Sequence, residues 1–339
     1  MKKFKLLLLF VFLTTTLTGC TKYMTYDDKQ SVINSETGQR MVENILCKTP
    51  TTMETYEKIK LEKIKQYDEQ LANNKITEEE YNTKINNINE KFLAKDIVEC
   101  SSFKVTSGGY EGIWTSVFVK PLAFFIVKIG EFMGNYGWSI VIVTLIIRLI
   151  MYPLTKKTAI QSENLKKAEP KLKKLEEKYR NKNDQESIMM KNQEMLKIYK
   201  DYNINPLSGC LFSFIQIPLF FAFYEALYRL PVVFEETFLG LNLGLTTGTA
   251  IGNGKILYLI IVVLVVLVTY YSFKLNSTAN MNGDQAKQMK MMTTFSVVMI
   301  GIASFSVSLG IAIYWIVNSS FTILQNLLVK RSKKNDNII

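Results

Sequence analysis

One apolar stretch, Gly137 to Thr155, constrains the fold of this chain more than any other feature. It reads GWSIVIVTLIIRLIMYPLT, and Arg148 is the one charged residue between Glu131 and Lys156. A helix needs about 20 mostly apolar residues to cross a bilayer, so this stretch is long enough to cross. An arginine inside such a helix costs roughly 2.5 kcal/mol or more. The sequence therefore predicts a membrane span in which Arg148 meets water, a polar partner or a substrate.

The composition argues against the common kinds of enzyme site. The chain has 339 residues, a net charge of +11 and no histidine, so it lacks the usual general base and the commonest metal ligand. Its four cysteines form no Cys-x-x-Cys pair, and no phosphate-binding Gly-x-x-x-x-Gly-Lys-Ser/Thr motif is present. We expect neither an enzyme nor a metal or cofactor site. The basic excess fits the positive-inside bias of a membrane protein better than nucleic-acid binding.

Four more apolar runs predict an all-α polytopic membrane protein with a five-span helical bundle. Lysine-rich segments follow the first and third spans and the last one, which places these segments in the cytoplasm. Met291 to Val329 has no charge. At about 1.5 Å per residue, it is too long for one crossing of a core about 30 Å thick. We therefore predict that it folds back near Ser304 to Gly310 and forms two spans.

The predicted segments follow one another from the N-terminus. They are a lipoprotein signal peptide, 1–19; an extracellular segment with a helical hairpin, 20–110; an amphipathic surface helix, 111–136; the first span, 137–155; a cytoplasmic helical hairpin, 156–204; the second span, 205–230; an extracellular loop, 231–255; the third span, 256–273; a cytoplasmic loop, 274–290; the fourth and fifth spans, 291–329; and a basic cytoplasmic tail, 330–339. The alternative for 111–136 is a further, poorly formed span.

The extracellular segment begins next to a predicted lipid anchor. Lysines precede an apolar run that ends in Leu17-Thr18-Gly19-Cys20, which resembles the lipobox of bacterial lipoproteins. That resemblance makes Cys20 the lipidated first residue of the mature chain, and the alternative is an uncleaved anchor with an ordinary cysteine. The hairpin that follows would bring Cys47 and Cys100 together. We hypothesise a disulfide between them on the oxidising side of the membrane, against the alternative of two free thiols.

Three stretches in order carry a resemblance to a known family. They are GWSIVIVTLIIRLIMYPLTKK, NPLSGCLFSFIQIPLFFAFYEAL (205–227) and LGIAIYWIVNSSFTILQNLL (309–328). They resemble the first, second and last core spans of the YidC-type membrane-protein insertases, the bacterial relatives of the mitochondrial Oxa and chloroplast Alb proteins. The resemblance covers roughly 114–330. It implies a hydrophilic groove, open to the cytoplasm, that admits the polar tail of a nascent membrane protein without nucleotide hydrolysis.

Arg148 is the predicted centre of that groove. Thr144 precedes it by one helical turn on the same face, and Gln216 in the second span and Tyr314, Trp315, Asn318 and Gln325 in the last could line the same recess. The resemblance favours Thr144 and Trp315 most. The alternatives are that Arg148 extends toward the cytoplasmic head groups, and that the other polar side chains only satisfy one another between helices.

The expected partners follow from the resemblance and from the charge pattern. They are nascent membrane proteins, with the ribosome, the Sec translocon and anionic membrane lipids as further candidates for the basic segment 156–204. That segment could also be a solvated hairpin that only sets orientation. Two rival functions are a small transporter or channel, against which no inverted repeat is found, and a lipoprotein that scaffolds other membrane proteins. The expected location is the bacterial plasma membrane, with the N-terminus outside and the C-terminus in the cytoplasm.

Overall fold

Helices dominate the computed structural model, which describes residues 21–26, 29–92, 97–182, 184–205, 208–276 and 284–335. The main helices are α1 (Pro50–Ala72), α2 (Glu78–Phe92), α3 (Lys120–Met133), α4 (Tyr136–Lys178), α5 (Gln185–Asp201), α6 (Ser208–Tyr228), α7 (Tyr258–Asn276), α8 (Asp284–Ala303) and α9 (Leu309–Asn335). A two-stranded hairpin, β1 (Thr237–Phe238) with β2 (Leu241–Asn242), lies between α6 and α7. The predicted signal peptide and Cys20 lie outside the described residues.

Several helices have the length and composition of membrane spans. Within the described ranges, the helical stretches that qualify are Gly112–Met133, Tyr136–Lys178, Tyr258–Leu275 and Leu309–Ser332, and Lys290–Ala303 is a shorter apolar helix. The chain is thus a mostly helical protein with the features of an all-α membrane protein. The first stretch coincides with the predicted surface helix, so its composition alone would also permit a crossing.

The first span and the first arm of the predicted cytoplasmic hairpin form one continuous helix. The sequence placed a boundary between 155 and 156, where apolar residues give way to lysines, but α4 continues for 43 residues with Pro153 and Pro170 inside it. Each proline removes one backbone hydrogen bond, yet the Lys-, Glu- and Ala-rich sequence that follows Pro153 has high helix propensity. The change in polarity therefore changes the surroundings of the helix and not its backbone.

The turn between the last two helices lies where the lack of charge predicted it. Helix α8 ends at Ala303 and α9 begins at Leu309. The Ser304 amide bonds back to the Ile300 carbonyl at 2.9 Å, and Thr246 pairs with Ser308 as an isolated antiparallel bridge. The helix break thus falls at the start of the stretch, Ser304 to Gly310, in which the sequence predicts the fold-back, and the crossing by two separate spans stays a prediction.

The N-terminal part of the chain contains a helical hairpin closed at its base. The Thr77 hydroxyl accepts from the Glu80 amide at 3.2 Å and the Glu80 carboxylate accepts from the Thr77 amide at 3.0 Å, so a capping box starts α2. Helices α1 and α2 pack together, with the Tyr81 hydroxyl donating to Asp68 at 2.7 Å. At the base, Cys47 and Cys100 are joined by a disulfide 53 residues apart.

We predict that this disulfide is present in the purified native protein and stabilises its N-terminal part. Closing a loop of 53 residues restricts the unfolded chain, which corresponds to about 4 kcal/mol as an upper value. Intact mass with and without reductant should differ by two hydrogen atoms, because reduction converts the disulfide into two thiols. The double variant Cys47→Ser, Cys100→Ser should unfold at lower denaturant concentration than the oxidised parent, whereas reduced parent and double variant should match. Two free thiols in the native protein would contradict the prediction.

The chain divides into two compact units, which are described separately. The first comprises the described residues of Met1–Val143, Pro218–Tyr258 and Ser306–Ile313, and the second comprises those of Thr144–Ile217, Leu259–Phe305 and Tyr314–Ile339. Helices α4, α6 and α9 each contribute residues to both units, so the backbone passes between the units within regular helix.

A buried charge network joins three segments of the first unit. Arg229, at the end of α6, bonds to Glu111 at 2.5 Å, to Glu225 at 3.1 Å and to the Asn44 carbonyl at 2.6 Å. Lys120, fully buried at the start of α3, bonds to Glu111 at 2.9 Å. The N-terminal segment, the start of α3 and the end of α6 are therefore held together by paired charges. Such pairs leave a costly unpaired ion when one partner is removed.

Candidate functional site

Arg148 lies in the second unit, on the part of α4 predicted to cross the membrane. The side chain is 2% exposed. Its Nε donates to Asn318 Oδ1 at 2.6 Å, and its Nη2 donates to Gln216 Oε1 at 2.9 Å. Three helices, α4, α6 and α9, thus supply the cluster. The alternative in which Arg148 extends toward the cytoplasmic head groups would require the side chain to point away from these helices, and it does not.

The partners of Arg148 satisfy its hydrogen bonds without neutralising its charge. Asn318 and Gln216 offer neutral amide oxygens. None of the ion pairs found in the described ranges involves Arg148. A buried charge without a counter-ion is costly, and an anion brought next to it would gain attraction in a medium that screens charge poorly. The cluster can therefore attract a carboxylate.

Helices α4 and α9 contact each other through successive pairs of polar side chains, the first of which includes Arg148. Asn318 follows Tyr314 by four residues on α9 and faces Arg148. Seven residues further along each helix, Gln325 Nε2 bonds to Thr155 Oγ1 at 2.9 Å. Both pairs are separated by 170 residues, so α4 and α9 run parallel and in register there. A step of seven residues returns to nearly the same face of a helix, which explains why the polar contacts repeat.

The other predicted groove residues have different surroundings. Thr144 is buried on α4, one turn before Arg148. Tyr314 is buried on α9, one turn before Asn318. Trp315 is only partly buried, and its indole Nε1 donates to Thr269 Oγ1 of α7 at 2.8 Å. The structure therefore brings Gln216 directly to Arg148, it brings Tyr314 into the same cluster next to Gln216, and it places Trp315 against α7.

Asn318 is the functional candidate to which the sequence reasoning gave too little weight. The sequence names it among the polar residues of the last span that could line the recess, whereas the family resemblance favours Thr144 and Trp315. The signal was present, because Tyr314, Asn318 and Gln325 recur at steps of four and seven on one face of α9. The identity of their partners on α4 required the tertiary structure.

These features define an α-helical multi-pass membrane protein with a buried polar cluster among its helices. In the part of the chain that the structure describes, no group of three or more His, Cys, Asp or Glu side chains could hold a metal ion. The cluster around Arg148 combines the guanidinium cation with the neutral amides of Asn318 and Gln216.

Sequence comparison assigns the family. The model of the family described as "60Kd inner membrane protein" matches residues 128–336. "Membrane protein insertase YidC" of Oceanobacillus iheyensis is 32% identical over 228 residues, which cover 65% of this chain and 85% of that protein. "Membrane protein insertase YidC 2" of Bacillus anthracis is 36% identical over 220 residues, covering 65% and 82%. "Membrane protein insertase MisCA" of Bacillus subtilis is 32% identical over 234 residues, covering 68% and 85%.

The chain belongs to the 60Kd inner membrane protein family, whose bacterial members include the YidC-type insertases, and the resemblance read from its sequence is confirmed. A solved structure titled "Active YidC insertase crystal structure with the first transmembrane domain resolved" aligns with a TM-score of 0.43 at 23% identity, over 65% of this chain and 48% of that one. The family match begins at residue 128, so the disulfide-closed hairpin lies outside it.

Proposed function

We propose that this protein inserts nascent integral membrane proteins into the bilayer and assists their folding. The names of its relatives describe membrane protein insertases. The observation that supports the proposal most within this chain is the buried Arg148, which is bonded to the amide oxygens of Asn318 and Gln216. A structural arginine in a membrane span would be expected to have a carboxylate partner. Because the partners of Arg148 are neutral amides, a group of the nascent membrane protein that is being inserted, here called the client, could take the place of one of them.

The proposed mechanism uses the charge of Arg148 to lower the barrier for a polar tail. A client presents an apolar segment with a short, often acidic, outer tail. The tail enters a hydrophilic groove open to the cytoplasm, where its carboxylate replaces an amide of Asn318 or Gln216 next to the guanidinium. Charge-assisted hydrogen bonds are about twice as strong as neutral ones. The apolar segment then moves into lipid, and its burial drives the step without nucleotide hydrolysis.

Entry of a tail requires the cluster to open. Arg148 is almost fully enclosed, so the groove is proposed as a second arrangement of the same helices. In that arrangement Thr144, Gln216 and Tyr314 would line the wall beside Arg148, and Trp315 would line the edge toward α7. Opening would break the Trp315–Thr269 hydrogen bond if α9 and α7 move apart, and would preserve it if these two helices move together.

The proposed topology has five spans, with the N-terminus outside and the C-terminus in the cytoplasm. Cys20 carries the lipid anchor in this proposal, and the protein resides in the plasma membrane. The basic arm of α4 and helix α5 lie in the cytoplasm. Their contacts include Lys178 Nζ with Glu194 at 2.6 Å and a buried cluster of Ala168, Leu172 and Ile204. We propose that this hairpin contacts anionic lipids or the ribosome, and that the protein can act beside the Sec translocon.

The function is tested by insertion into liposomes that contain the purified protein and no nucleotide. A single-span client with a short acidic outer tail should become protected from protease, and empty liposomes should give background protection only. A photo-crosslinker at Thr144 should capture the client during insertion. The matched control is Leu149, which lies on the same helix and is 62% exposed. No protection with correctly folded protein would contradict the insertase, and ion flux in the same liposomes would favour a transporter.

A further inference from the structure

A continuous column of aromatic rings runs along one face of α6 and onto the N-terminal segment. Phe220, Tyr224 and Tyr228 lie at steps of four residues on α6, with ring centroids 5.9 Å and 4.5 Å apart. Tyr23 continues the column, because its ring meets Tyr228 edge-on at 6.2 Å and its hydroxyl lies 3.1 Å from that of Tyr224. Phe221 lies 5.5 Å from Phe220. We call these five residues the aromatic column.

The N-terminal segment is held firmly where it joins the column. The Lys22 amide donates to Asn44 at 2.9 Å, and the Met24 amide donates to the Met41 carbonyl at 2.9 Å. Tyr23 pairs with Val42 as an antiparallel bridge, and the Arg40 guanidinium lies 4.8 Å from the Tyr23 ring centroid. The backbone immediately after Cys20 is therefore fixed beside the last turns of α6.

The column changes character along its length. Its tyrosines lie toward the C-terminal end of α6, and its phenylalanines lie one to two turns earlier, so the two ends are about 10 Å apart along the helix. Tyrosine is enriched at the level of lipid head groups. Phe221 is 48% exposed in a helix predicted to span the membrane, and in that span its ring would face acyl chains. With increasing distance from Tyr23, the side chains of the column thus change from tyrosines, which are typical of the head-group region, to apolar phenylalanines.

We propose that the column is the docking site of the protein's own lipid anchor, with the diacylglyceryl group of Cys20 packed along Tyr224, Phe220 and Phe221. The proposal rests on the proposed lipidation of Cys20. Tyr23 follows Cys20 by three positions in the chain, which limits their Cα atoms to about 11 Å apart. Acyl chains attached there must enter the bilayer beside the C-terminal end of α6. Because the link between Cys20 and Tyr23 is short, the lipid anchor stays close to the aromatic column, and its effective concentration there is high.

Docking of the anchor gives the N-terminal segment a mechanical role. The same segment provides Asn44, whose carbonyl binds Arg229, and Leu46, whose amide bonds to the Arg229 carbonyl at 2.8 Å. A docked lipid would hold this segment against α6 from the membrane side, while the charge network holds it at the end of the helix. The anchor would then have two effects. It would retain the chain in the membrane, and it would attach the extracellular part to the second span.

The test begins with the intact mass of the full chain purified from membranes. A diacylglyceryl adduct on Cys20 is expected, and its absence would overturn both the lipidation and the docking while leaving the insertion assay to judge the insertase function. A photo-crosslinking residue at Phe221 should then link to the lipidated N-terminal peptide at least fivefold more often than one at Phe125. Phe125 lies on α3 and is 54% exposed, so it is a matched lipid-facing control.

Two further arms separate docking from random contact with lipid. Tyr23→Ala removes the ring that joins the segment to α6, so the link at Phe221 should fall at least threefold while the lipid mass stays unchanged. A photoreactive fatty acid incorporated at Cys20 of the otherwise native chain should capture the peptide that contains Phe220 and Phe221. Equal yields at Phe221 and Phe125, or adducts at Phe221 that contain only free phospholipid, would overturn the proposal.

Discussion

Arg148→Ala is expected to reduce insertion of a client with a short acidic tail by at least about tenfold, which corresponds to roughly 1.4 kcal/mol. Alanine removes the charge that attracts the tail and leaves the amide oxygens of Asn318 and Gln216 without their donor. Arg148→Lys should retain part of the activity, because it keeps the charge but replaces a planar fork of donors with a single ammonium group. Protease protection of the client in nucleotide-free liposomes measures the effect.

The tail of the client provides the control for this prediction. A client whose tail carries serine in place of its acidic residues should lose much less insertion on Arg148→Ala, because the guanidinium no longer has a carboxylate to attract. Thermal unfolding in detergent must show that the variant is folded, since removing the donor from two buried acceptors costs about 1–3 kcal/mol for each group. If the alanine variant inserts the acidic client as well as the parent does, Arg148 is not the working group of the groove.

Arg229→Ala is expected to destabilise the first unit by about 3–5 kcal/mol, because it leaves a buried charge without its partner. Arg229 bonds to Glu225, which is buried, and to Glu111, which is partly exposed. Lys128→Ala is the matched control, because Lys128 and Glu131 form an exposed pair at 2.8 Å, for which we expect less than about 1 kcal/mol. Chemical unfolding in detergent measures both. Equal, small effects would show that the network contributes little.

The same network predicts a loss of stability in acid. Burial opposes ionisation of Glu111, but hydrogen bonds from Lys120 and Arg229 and their positive charges outweigh it, so its pKa lies below the ordinary value of 4.5. A carboxyl whose pKa is lower in the folded state stabilises the fold above the unfolded pKa and loses this effect as the pH falls through the folded pKa. Unfolding temperature should therefore drop below about pH 4.5, and Glu111→Gln should weaken that dependence.

Local signals in the sequence were sufficient for most of the helices. The capping box at Thr77 starts α2, and the lack of charge from Met291 to Val329 required the turn that ends α8. Both follow from short-range rules, namely satisfaction of the first backbone amides of a helix and the fixed thickness of a bilayer. The change from apolar residues to lysines at residue 155 predicts where the first span ends, and the helix itself continues past it, because polarity marks where the surroundings of a helix change, whereas backbone propensity decides where the helix ends.

The sequence by itself determined that this chain is a helical membrane protein, that it resembles the insertases and that a charged Arg148 lies within a span. Only the tertiary structure decided which groups surround that charge. Gln216 and Asn318 are separated from Arg148 by 68 and 170 residues, and their meeting depends on the register between packed helices. That register is set by side-chain packing over whole helix faces. No local pattern encodes it, so the partners of Arg148 could be named only from the folded chain.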